Sequence, residues 1–202
     1  MERKKFFALH ASTGFTLIEI LASIVILSAV AIGMFSFFTN AMKYTTYNQG
    51  KTVAINIARG ILAYMEHRDF TALKQYVDEQ IHNTDEPFAR IDASHCSSSL
   101  FENQQVCEAL LRPTINNVTY DEKRVHLFLV PYNDTETWNK LQNSPPPEFP
   151  SSLKQKIKGE SIKNTDPNLQ NYLLKIYVIV RWGDKEEDAE WLEGVIANET
   201  IR

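Results

Sequence analysis

The sequence predicts an α+β fold: a long N-terminal helix, apolar in its first half and amphipathic in its second, packed on a small antiparallel C-terminal sheet. Three observations predict it. Residues 15 to 38 form an apolar run with one ionisable group, Glu19. The stretch QGKTVAINIARGILAYMEHRDF then sets Ala54, Ile57, Ala58, Ile61, Leu62 and Met65 at three- and four-residue spacings, the period of one helix face. Finally, NYLLKIYVIVRW and AEWLEGVIANE flank the polar GDKEED, the pattern of an antiparallel hairpin. A chain of 202 residues has room for a membrane anchor and one modest domain, and little more.

The first element is a candidate membrane span. Phe15 to Phe38 is 24 residues, about 36 Å as a helix, enough to cross a hydrocarbon core of about 30 Å with a small tilt. The preceding MERKKFFALHASTG carries Arg3, Lys4 and Lys5, whereas TNAMKYTTYNQGK on the far side has only Lys43 and Lys51. This asymmetry predicts a single-pass protein with a cytoplasmic N-terminus and the bulk of the chain outside. A secretory signal has a shorter apolar region and a small-residue cleavage site on its far side. Here no A-x-A-like site follows the run; the small residue, Gly14, stands in front of it.

A short basic leader, then Gly14, then Phe15-Thr16-Leu17-Ile18-Glu19 and a long apolar run resembles the class III (prepilin) signal of type IV pilins and type II secretion pseudopilins. The resemblance implies a pilin-like fold and a leader of residues 1–14. A membrane aspartic peptidase would cut between Gly14 and Phe15 and methylate the new amine of Phe15. It implies as partners other pilin or pseudopilin subunits, that prepilin peptidase/methyltransferase, a membrane assembly platform with its cytoplasmic ATPase, and membrane lipid before assembly. It places the chain first in a bacterial cytoplasmic membrane, then in a cell-surface or periplasmic filament, competence pili included. It also gives Glu19 a role. An isolated acid mid-span costs about 2.5–3.5 kcal/mol, less near an end, and the Phe15 amine of a neighbouring subunit would be its assembly partner, attractive where water is scarce. A carboxylate that merely snorkels to the headgroups is the plainer alternative. Many major pilins have a proline in the second half of this span; here Ser36 is present and the first proline is Pro87. Gly33 still loosens the helix by about 1 kcal/mol relative to alanine. This departure points to a minor subunit.

Residues 39–67 continue the helix, with Lys51, Asn56 and Arg59 opposite the apolar face and candidate bends at Gly50 and Gly60. Residues 68–202 form the outer head. DFTALKQYVDEQI suits a short helix, but the rest of 68–117 has no legible fold. Cys96 and Cys107 read first as a disulfide outside the membrane, closing a short loop for roughly 3 kcal/mol; two free thiols are the alternative. VTYDEKRVHLFLVPY suits a strand after a turn at Asp121-Glu122, and SPPPEFP at 144–150 an extended linker. On the first hairpin strand Leu174, Ile176, Val178, Val180 and Trp182 share one face, opposite Lys175, Tyr177, Ile179 and Arg181. A hairpin strand ending in Val180-x-Trp182 resembles the sheet of minor pilins and minor pseudopilins.

No catalytic residues and no cofactor are expected. His10, His67, His82, His95 and His126 show no ligand spacing with one another, and His95 with Cys96 and Cys107 lacks the paired spacings of a zinc site. Ser97-Ser98-Ser99 lacks a nucleophile frame. Asp184, Glu186, Glu187 and Asp188 lack the ligand order of a calcium loop and read as a solvated turn. Lys154, Lys156, Lys158 and Lys163 form a basic stretch. However, the net charge is −4, and removing the leader, with its three cations and one anion, brings it to −6. Nucleic acid is therefore a disfavoured partner. The sequons at Asn117, Asn133 and Asn198 carry no weight in a prokaryotic chain. Beside the filament subunit stand two other readings: a ligand- or DNA-binding tip subunit, and an uncleaved single-pass protein with a sensory or enzymatic outer domain.

Overall fold

The computed structural model describes residues 14–96, 100–161, 169 and 171–198; most of the leader, Ser97-Ser98-Ser99 and Lys163 lie outside the described residues. Helix α1, Leu17–Glu66, runs uninterrupted through Gly33, Gly50 and Gly60, so neither candidate bend breaks it. The chain divides into two compact units, one ending at Thr46 and the other beginning at Tyr47.

In the first unit α1 exposes its large apolar side chains, among them Leu27, Ile32, Phe35 and Phe37. Its hydroxyls are turned inward on the backbone. Ser23 donates to the Glu19 carbonyl (2.7 Å), Ser28 to that of Ile24 (2.7 Å) and Thr39 to that of Ser36 (2.9 Å). Hydroxyls satisfied this way suit a helix without water around it.

In the second unit α1 buries Ala54, Ile57, Ala58, Ile61 and Met65, the face its periodicity predicts, with Leu62 packed against the same cluster. Lys51, expected opposite that face, instead lies 2.9 Å from Glu190 of the sheet. Helix α2, Phe70–Thr84, starts at Asp69, whose side chain accepts from the Thr71 N–H, and stops at Asp85 in the left-handed region, φ 55°. It covers the predicted short helix and adds Phe70, Leu73 and Val77 to the core.

The stretch that was illegible in sequence contains β1 (Ala89–Ile91), a 3₁₀ turn (Ala93–His95), α3 (Gln104–Leu111) and β2 (Thr114–Ile115). β2 pairs with β3 (Val118–Thr119) in a separate two-stranded hairpin, turned by Asn116 and Asn117 at φ 50° and 62°. The strand expected after the turn at Asp121-Glu122 is present as β4, which begins at Val125 and ends at Pro131. Helices α4 (Thr135–Asn143) and α5 (Ser151–Gly159) follow; neither was expected. The proline run joins them, and its last member, Pro150, stands at the N-cap of α5. The predicted C-terminal hairpin is present as β5 (Leu173–Arg181) and β6 (Ala189–Ala197). The four-stranded sheet has the order β1-β4-β5-β6 and is antiparallel throughout, with Leu127 opposite Val178 and Val178 opposite Leu192.

Both faces of the central strands β4 and β5 are buried. Val125, Leu127, Leu129, Leu174, Ile176, Val178 and Val180 meet α1, α2 and α3. The alternate residues Phe128, Val130, Tyr177 and Ile179 meet α4, α5 and the proline run through Trp138, Leu141, Phe149, Leu153 and Ile157. The face expected to lie opposite the core is thus a second core, and the head is a three-layer α/β/α arrangement. Trp182 falls one residue past the end of β5 and packs against the first cluster.

Candidate functional site

A helix leaves its first four N–H groups without intrahelical partners. At the start of α1 the sequence Thr16-Leu17-Ile18-Glu19 satisfies two of them reciprocally. The Glu19 N–H donates to Thr16 Oγ1 at 3.3 Å, and the Thr16 N–H donates to Glu19 Oε2 at 3.4 Å. The Thr16 hydroxyl donates to the same carboxylate oxygen at 3.4 Å. This is a capping box, worth about 0.5–2 kcal/mol for the threonine alone. In the first turn the carboxylate also meets the positive end of the helix dipole. The apolar run therefore begins with a carboxylate folded back onto Thr16, and Phe15 and Gly14 before it are exposed. The T-x-x-E spacing that signals this cap stands in the sequence, where the apolar surroundings of Glu19 make it stand out only as a charge in lipid.

The other candidate residues lie in the head. Cys96 and Cys107 are joined in a disulfide, with Cα atoms 5.2 Å apart, which overturns the free-thiol alternative and leaves neither sulfur for zinc. The bridge ties the 3₁₀ turn to α3. His95 turns to Asp92, its Nδ1 3.1 Å from Oδ1. Burial pushes the Asp92 carboxyl up, but the Ser94 hydroxyl and N–H and the His95 ring outweigh it and hold it below its ordinary value. Ser97-Ser98-Ser99 lie outside the described residues.

Of the acidic loop, Glu186 accepts from the Ser151 hydroxyl, which holds its carboxyl low, and Asp184 lies 4.0 Å from Arg124. Among the described residues no three His, Cys, Asp or Glu side chains gather as a metal site needs. Lys154, Lys156 and Lys158 stand on α5 around the buried Leu153 and Ile157. Lys156 pairs with Glu193 of β6 and lies over the Trp191 ring, 5.2 Å from its centroid. One lysine of the basic stretch is therefore committed to the fold. Asn133 takes a left-handed conformation, φ 56°.

By length and composition the first part of α1 is fit to cross a membrane. Residues 9–35 match the prokaryotic N-terminal methylation motif, which supports the class III signal of type IV pilins and pseudopilins. Together these features support membrane anchoring. No curated protein and no solved structure matches the chain.

Proposed function

We propose that the chain is a minor pilin or pseudopilin, made as a membrane prepilin and built into a filament through its N-terminal helix. The leader is cut after Gly14, and Phe15 becomes the N-methylated first residue. Glu19 then meets the Phe15 amine of a neighbouring subunit. Its partners are other subunits of this kind, the prepilin peptidase, and an assembly platform driven by its ATPase. The head faces away from the cytoplasm, and the role is structural rather than catalytic. The observation that carries this reading is the methylation motif over residues 9–35, with Glu19 as the one ionisable group in the apolar run of residues 15–38.

The capping geometry supplies a test that separates the two roles of Glu19. Glutamine serves in a capping box as glutamate does, so Glu19→Gln keeps the helix start and removes only the charge. Thr16→Val keeps the charge and removes the cap. On this reading, Glu19→Gln is cleaved normally, accumulates in the membrane and fails to enter filaments. Thr16→Val still assembles, with a helix start weakened by about 1 kcal/mol. Mass spectrometry of the N-terminus, with the fraction of subunit in sheared filaments, reads both. A wild-type protein that retains Met1 overturns the proposal outright; normal incorporation of Glu19→Gln overturns the charge pairing.

A further inference from the structure

A cleft of about 590 Å³ opens in the head between the Asp85–Phe88 segment that leads into β1, the outer side of α4, and the proline run. Its size falls within the about 300–1,000 Å³ of small-molecule sites. We propose that this cleft binds a short neutral oligosaccharide through the amides of Asn139 and Asn143. The inference goes beyond the assembly reading and does not depend on it.

Three features of the cleft select that chemistry. The two asparagines lie four residues apart and so share one side of α4. Both are exposed, and neither side chain has a hydrogen-bond partner among the described residues. Each amide offers two donors and an acceptor, the mixed set that neighbouring sugar hydroxyls require. Next to them stand Pro87, Pro145 and Pro147, with the largely buried Phe88 closing the floor. The proline rings present rigid C–H surface against which the apolar face of a pyranose can lie.

Charge decides what is excluded. Lys140 is held by Asp85 at 3.1 Å and Glu136 at 3.5 Å. Arg90 is held by Glu148 in a two-pronged pair at 2.9 and 3.1 Å. Both cations of the cleft are thus neutralised, and Glu86 adds a further negative charge. Such a site attracts neither phosphate nor sulfate, so the ligand carries no anionic group, and the unpaired amides rather than a free charge supply its hydrogen bonds. The helix and the prolines hold the site in shape before the ligand arrives, which lowers the cost of binding.

The full chain, purified in a sugar-free detergent, is applied to an array of neutral and anionic oligosaccharides, with single-stranded DNA as a further probe. Hits are then titrated in solution. The expected result is binding of a neutral oligosaccharide and of none of the anionic probes. Asn139→Ala/Asn143→Ala lowers the affinity about tenfold or more, as the loss of two or more hydrogen bonds implies. Its thermal midpoint stays unchanged, since both side chains are exposed. Asn139→Met, which keeps bulk and helix propensity but not the amide, gives a loss through an independent change. Failure of every neutral probe, a preference for anionic ones, or undiminished binding by either variant overturns the proposal.

Discussion

His126 lies in β4, 6% exposed, with its Nε2 3.3 Å from the Lys123 carbonyl and its Nδ1 without a hydrogen-bond partner among the described residues. Burial pushes its pKa below 6.5; the Glu148 carboxylate and the Lys123 carbonyl pull it up, Arg90 pushes it down, and Asp92 pulls it up again. Burial wins. The unfolded chain takes up a proton on this ring near pH 6.5 and the folded chain only at lower pH. The ring's contribution to stability is therefore full above pH 6.5 and falls as the pH drops from there to the folded value, where the loss levels off. His126→Gln retains an amide that can donate to Lys123 and does not titrate. Urea midpoints measured across that range fall less steeply with acid for His126→Gln than for wild type. An unchanged slope assigns the acid sensitivity to other groups. The same test of environment over identity applies at Glu19, where the charge that attracts notice in the sequence is also half of a helix cap.

At the scale of elements, two glycines of α1 face opposite fates. A Cβ built on Gly60 meets nothing within 4 Å, whereas one built on Gly50 would strike the Trp182 ring at Cδ1 and Cγ. That ring sits edge-on to Tyr47, centroids 5.6 Å apart, beside the Lys51–Glu190 pair, so it fastens the head to the first turns of its own helix. Gly60→Ala is expected to stabilise by about 1 kcal/mol through helix propensity. Gly50→Ala gains the same propensity but displaces Trp182, and its thermal midpoint is expected to fall below that of Gly60→Ala and of wild type. A gain equal to that of Gly60→Ala removes the fastening role of Trp182. What the sequence made legible here follows from periodicity. Ala54, Ile57, Ala58, Ile61 and Met65 repeat at the helical period against a solvated side, and the hairpin strands alternate around a polar turn. The second core was hidden for the same reason. Lys175 stands in the β5 face that buries Tyr177 and Ile179 and makes that face read as solvent-exposed. In the fold its ammonium lies 4.9 Å from the Trp138 ring centroid, 5.4 Å from that of Tyr177 and 3.0 Å from Glu160. A charged side chain covers apolar surface with its stem while its head finds a carboxylate. Helix α5 offers only Leu153 and Ile157 between lysines, so its charges concealed the two residues that pack. The cleft was hidden too, because Asn139 and Asn143 acquire a shared side only once α4 exists.

At the scale of the whole molecule, the boundary at Thr46 divides a helix that is continuous in hydrogen bonds but not in its surroundings. The residues that complete the head's first core, from Ala54 to Met65, belong to α1. The second compact unit is thus the helix from Tyr47 onward with everything after it. This distinction has a direct test in two fragments. A chain of residues 47–202 keeps both clusters, the disulfide and the Trp182 contact, while losing the exposed apolar run. It is expected to be soluble without detergent, monomeric, and cooperative in urea unfolding. A chain of residues 67–202 lacks five buried residues of the first cluster and leaves the part of the sheet face that α1 covers open to water. An apolar face of that kind, beside the unpaired edge of β6, is an aggregation hazard, so this fragment is expected to precipitate or to unfold without a sharp transition. Cooperative folding of 67–202 makes α1 an attachment to a complete domain. Failure of 47–202 extends the folding unit back into the apolar run.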